Sequence, residues 1–124
     1  MSVPAYAASD AVSAVLGYAL DGLSLRQRTI ADNIANIDTP GFRASTIDYE
    51  TALAGAVDLG DVRPVERSEG MASLPTDTPV KANGNSVDLR KETMAAVQSQ
   101  FQYQMMTRAV TDRFAVVKTV AGAQ

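Results

Sequence analysis

The chain has no cysteine, no histidine and no tryptophan among its 124 residues. Without cysteine there is no disulfide and no thiol nucleophile, and without cysteine or histidine the usual zinc sites cannot be built. Acid–base catalysis by imidazole is excluded as well. A basic excess is also missing. Eleven Lys and Arg stand against 14 Asp and Glu, interspersed along the chain, for a net charge of −3. A nucleic-acid partner would call for a basic face, so none is expected. No apolar run is long enough to span a membrane: the uncharged stretch from Thr93 to Thr107 is too short and holds four glutamines. Ala5-Tyr6-Ala7 resembles a signal-peptidase site. Nothing basic or continuously apolar precedes it, so no cleaved signal peptide is expected.

The carboxylates are scattered, with no Asp-x-Asp, no Glu-x-x-His and no glycine-rich phosphate loop. Asp48 and Glu50 form the closest pair of note, which reads as a solvated face because nothing nearby could tune either group. No catalytic, cofactor-binding or metal-binding residue is assigned, and an enzyme is not expected.

What the chain does have is helical spacing at both ends. Residues 1–9 show no periodicity and read as a mobile arm, and a helix is expected over residues 10–38, capped by Ser9 or Asp10. Leu16, Leu23, Ile30 and Ile37 recur every seven residues, with Val12 and Ala19 interleaved. Arg26 and Asn33 hold the remaining interleaved positions, so the seam turns polar toward its end. At 1.5 Å per residue this helix would run ~42 Å, and Gly17 and Gly22 would each weaken it by about 1 kcal/mol. It needs a partner.

Pro40 stops it. Proline has no amide hydrogen and pushes Thr39 out of the α region, and Pro40-Gly41 suits the centre of a type II turn, with glycine at positive φ. From there to residue 87 the chain reads as a turn and a long irregular connector. Four glycines and three prolines are spread over residues 55–84, and the apolar residues stand singly. Tyr49 to Ala54 could form a helical turn, and Val62-Arg63-Pro64-Val65 or Pro79-Val80-Lys81 a short extended piece. Asn83-Gly84-Asn85 signals another turn, and Asp88 caps a second helix expected over residues 88–121, ~50 Å long. Its apolar residues are Met94, Val97, Phe101, Met105, Met106, Val110, Phe114 and Val117. The fold expected is all-α: two long terminal helices in a coiled-coil-like hairpin, one structural unit, joined by the irregular connector. Two such helices cannot close a core, and surplus apolar helix surface marks an interaction site. Leu16, Leu23 and Ile30, with the apolar residues of the second helix, are the assembly surface expected.

Asn33-Ile34-Ala35-Asn36 followed by Thr39-Pro40-Gly41-Phe42 resembles the N-terminal signature of the bacterial flagellar rod and hook proteins. Three further segments are similar to the short proximal-rod branch of that family: residues 43–49, Gly84-Asn85-Ser86-Val87-Asp88-Leu89, and Phe101-Gln102-Tyr103-Gln104 with Arg113-Phe114. The resemblance implies a structural subunit of the basal-body rod that self-assembles through its terminal helices and transmits torque. It further implies export through the flagellar type III apparatus and a place on the periplasmic side of the inner membrane. The partners it implies are other copies, adjoining rod proteins, the FliE adaptor and the export gate. The alternatives are the adjoining short rod protein (the FlgC type) and a soluble helical adaptor or chaperone-like module. The Thr-Pro-Gly-Phe string separates them from one side, since an adaptor has no need of it.

Overall fold

A computed structural model describes residues 5–58 and 71–122 of the chain, with the side chains of residues 5–10, Ala56 and Val117 left aside. In chain order the elements are α1 (Ala5–Ala35), β1 (Ser45–Asp48), α2 (Tyr49–Asp58), β2 (Ala72–Pro75) and α3 (Leu89–Gly122). The molecule is largely helical, with the two long terminal helices expected. It is not all-α. The connector folds, giving a third helix and an antiparallel pair of strands in the register Ser45↔Pro75 to Asp48↔Ala72. Thr46 and Ile47 bring β-branched side chains to β1, and Ile47 is buried against α1, which supplies the apolar anchor the strand needs. Of the extended pieces expected, residues 62–65 lie outside the described residues, and Pro79-Val80-Lys81 is not a strand.

The two long helices run Ala5–Ala35 and Leu89–Gly122, against 10–38 and 88–121 expected. The first starts earlier, at Ala5 rather than Asp10, and only residues 1–4 of the expected arm lie outside the described residues. It ends at Ala35, after which Ile37 and Thr39 donate to the carbonyls of Ile34 and Asn36 in successive tight turns. Asp48 caps α2 by accepting the Thr51 amide at 3.1 Å, and Asp88 caps α3 by accepting the Lys91 amide at 3.2 Å. Among the described residues no helix is long and apolar enough to cross a membrane.

The core is small: Tyr18, Ala19 and Leu23 of α1 close on Ile47 and Tyr49, with Met106 of α3 packed at the margin. Tyr49 packs directly against Gly22, where an added β-carbon would overlap its side chain. That close approach explains a glycine in mid-helix. Glu92 sits beside Asn33 while Met106 reaches the Tyr18–Leu23 cluster, so α3 runs opposite to α1. The connector shares the α1 seam with α3.

Candidate functional site

The turn after α1 is built from two distant segments. Phe42 donates to the Thr39 carbonyl at 3.2 Å and Gly41 takes φ 75°, as a type II turn requires. The segment from Asn83 to Val87 then locks it in place. Asn85 is fully buried; its Nδ2 donates to the carbonyls of Asn36 and Thr39 at 2.8 Å each, and its Oδ1 accepts the Val87 amide at 2.8 Å. Gly41 donates to the Asn83 carbonyl at 2.9 Å, and the Ser86 amide to the Phe42 carbonyl at 3.0 Å. Ser86 Oγ accepts the Ala44 amide at 2.8 Å. Asn36, Thr39, Gly41 and Phe42 are thus joined to Asn83, Asn85 and Ser86, which brings the two similar segments quoted above into one cluster. Every buried side-chain nitrogen and oxygen described in it is paired, so the joint between α1 and α3 is specific.

The polar seam positions of α1 have a separate task. Asn33, buried, donates to the Ser45 carbonyl at 2.7 Å and accepts the Ser45 amide at 3.2 Å. One heptad earlier, Arg26 donates to the Ile47 carbonyl at 2.6 Å and pairs with Glu50 at 2.7 Å, with its guanidinium 4.8 Å from the centre of the Tyr49 ring. Together they stand in for a neighbouring strand along the edge of β1. Burial alone would pull the Arg26 pKa down, but the bond and charge of Glu50 outweigh it and hold it above its ordinary value. Sequence reasoning marked Arg26 only as a polar interruption and Asn33 as that and as part of the signature; their heptad spacing was the available signal for the shared task.

The α1–α3 seam is unusual in its choice of side. Glu92, Ser99, Met106 and Arg113, one heptad apart, face α1. Glu92 and Ser99 are buried, and burial pushes the Glu92 carboxyl above its ordinary pKa. Ser99 Oγ and Arg113 Nε find no hydrogen-bond partner among the described residues. Ser99 and Glu92 line a cleft of about 440 Å³ between α1, the strands and α3. The apolar side of α3 points away: Met94 is 66% exposed, Val97 65%, Phe101 63%, Met105 56% and Phe114 71%. Of the other residues expected at an assembly surface, Met106 and Val110 are half-buried, and the Val117 side chain lies outside those described. Leu16 is half-buried, whereas Leu23 and Ile30 are buried within the chain itself.

A family model described as "Flagella basal body rod protein" matches residues 15–43, the later part of α1 and the turn after it. The flagellar basal body rod protein FlgB of Borreliella burgdorferi is 36% identical over 82% of this chain and 88% of its own length. The chain belongs to the FlgB family of flagellar basal body rod proteins. The FlgB of Bacillus subtilis is 33% identical over 82% of this chain and 86% of its own, and that of Escherichia coli 27% over 82% and 88%. The similarity to FlgB proteins therefore takes in most of the chain, beyond the matched turn.

Proposed function

We propose that the chain is a structural subunit of the flagellar basal-body rod, which self-assembles through its terminal helices into the shaft that transmits torque to the hook. Family membership gives the setting. The single observation that carries the reading of how it assembles is the outward-facing apolar side of α3, Met94, Val97, Phe101 and Met105, which the chain leaves without cover. An apolar helix face of this kind is a binding face for another protein. The signature residues Asn33 to Asn36 and Thr39 to Phe42 fix the joint from which α1 and α3 project. The neighbours proposed are other copies, adjoining rod proteins, and the FliE adaptor and export gate. The place proposed is the rod on the periplasmic side of the inner membrane, reached by type III export without a cleaved signal. No catalytic, metal or cofactor role is proposed.

The test is incorporation. A strain lacking the natural gene is supplied with a tagged copy, and basal bodies are purified and probed. The tagged chain is expected in the rod fraction and swimming is expected to return. Phe101→Asp changes an exposed position, so the variant is expected to fold with unchanged helix content yet be missing from basal bodies. Normal incorporation of Phe101→Asp would overturn the assignment of this face.

A further inference from the structure

The outward face of α3 is arranged about Phe101. Val97 and Met105 lie four residues to either side of it, Met94 and Arg108 seven, and Arg90 and Asp112 eleven, all exposed. At about 100° per residue these offsets fall on one stripe of the helix, roughly opposite the Glu92–Ser99–Met106–Arg113 line that faces α1. The stripe is apolar in the middle. It carries a positive charge at one end, Arg90, and a negative charge at the other, Asp112.

We infer that this stripe is self-complementary and pairs with the same stripe of a second copy, the two α3 helices running antiparallel and crossing at Phe101. In that arrangement Arg90 of each copy meets Asp112 of the other, so two opposite-charge contacts close the ends. Val97 lies over Met105, Phe101 over Phe101, and the aliphatic stem of Arg108 over Met94. The parallel arrangement in register fails on charge: Arg90, Arg108 and Asp112 would each face its own counterpart, like charge against like. A two-fold pair uses one patch on both copies and closes on itself. A patch of this size falls below what a tight complex buries, so the pair is weak, and its end contacts are exposed to screening by salt. If the rod reading above holds, the pair is a reserve form. Two-fold symmetry cannot extend into a shaft with one direction, so the pair must open before a copy joins the rod. The pairing itself does not depend on that reading.

The natural chain has no cysteine, so introduced thiols report contacts without background. In the purified full chain under mild oxidation, Phe101→Cys is expected to cross-link to itself. Val97→Cys and Met105→Cys are expected to cross-link when mixed and not when alone. Gln100→Cys, exposed on another side of α3, sets the level of chance collision. Arg90→Asp placed in the Val97→Cys and Met105→Cys chains should lower the mixed yield several-fold, and adding Asp112→Arg should restore it. Self-linking by Val97→Cys and by Met105→Cys, each alone, would mean a parallel pair and overturn the inference. So would yields no higher than those of Gln100→Cys. Either failure would leave the basal-body incorporation result standing, so the two ideas fail separately.

Discussion

Gly41 and Gly84 stand against one another: a β-carbon on Gly84 would lie 3.2 Å from the Gly41 Cα, and both residues have positive φ, 75° and 82°. The two turns meet where a side chain on Gly84 would press on the Gly41 backbone. A β-carbon on Gly41 itself would meet nothing within 4 Å. The two glycines therefore bear different constraints. Gly41→Ala suffers only the left-handed backbone, a cost of about 1–2 kcal/mol. Gly84→Ala suffers that and a crowded neighbour, so its loss should be the larger. Urea unfolding followed by circular dichroism should rank them in that order, and equal losses would mean the turns do not press on each other.

Asn85 ties both turns together through three hydrogen bonds, and its replacement separates their contributions. Asn85→Ala leaves the Val87 amide without a partner in a buried place and takes the second of two donors from each of the Asn36 and Thr39 carbonyls, for a loss of about 1–3 kcal/mol. Asn85→Asp keeps an acceptor for Val87 but sets a carboxylate oxygen against the carbonyls of Asn36 and Thr39. It should be at least as damaging at neutral pH and should recover in part when the medium is acidified. Unfolding curves at two pH values check this, and an aspartate variant as stable as the natural chain would show that the two carbonyl bonds contribute little.

Leu23 is fully buried, whereas Arg28, less than two turns on, is exposed. Leu23→Asp would place an unpaired carboxylate among Tyr18, Ile47 and Tyr49, a cost of several kcal/mol. Arg28→Gln should change stability by no more than about 0.5 kcal/mol. Thermal melts of the two variants give the comparison directly. Similar melts would mean that the Tyr18–Leu23–Tyr49 cluster does not hold the chain together.

Glu92 gives the α1–α3 seam a pH dependence of known sign. Burial raises its carboxyl above the ordinary value of 4.5, and the nearby Asp88 charge adds to this, while the Asn33 bond and Lys91 pull the other way. The folded chain thus holds this proton more tightly than the unfolded one. Its contribution is most favourable below pH 4.5 and declines as pH rises through the folded value. Asp48 and Asp77 act oppositely. The Thr51 hydrogen bond and the Lys91 ammonium hold them below 3.8, so their contributions are present above that pH and fade beneath it. Glu92→Gln should therefore gain on the natural chain as pH is raised from 4.5 to neutral. A stability difference that stays flat over that range would mean Glu92 keeps its charge at no cost.

The long helices, the cap of the second and the turn after the first were legible because each is written locally; the cap expected at Ser9 or Asp10 was not met, since α1 begins at Ala5 and both residues lie inside it. Pro40 and Gly41 dictate a turn whatever surrounds them, and Asp88 caps the helix that begins beside it. The connector was not legible. Its apolar residues stand singly because they do not form a face of their own; Ile47 and Tyr49 complete a face that begins on α1. The helical spacing of α3 was legible too, but its orientation was not. Tyr49, seated on Gly22, takes part of the α1 surface, and most of the apolar residues of α3 are left facing outward. Gly22 looked like a weakness in α1 and is the seat of the core.

The strand pair has a bearing on how copies of this chain can associate. Thr76 donates to the Ala44 carbonyl, so by alternation Ser45 and Ile47 turn their backbone groups away from β2 and toward α1. Asn33 and Arg26 occupy that edge. On the far side the residues opposite them, Ser73 and Pro75, face outward, and proline offers no amide hydrogen. One margin of the ribbon is sealed by α1 and the other is blunted by its own sequence. In a subunit of an assembly, an open strand margin would invite unplanned edge-to-edge pairing of strands. With one margin occupied by Asn33 and Arg26 and the other carrying a proline, neither edge of the ribbon offers a full ladder of backbone groups to a second strand.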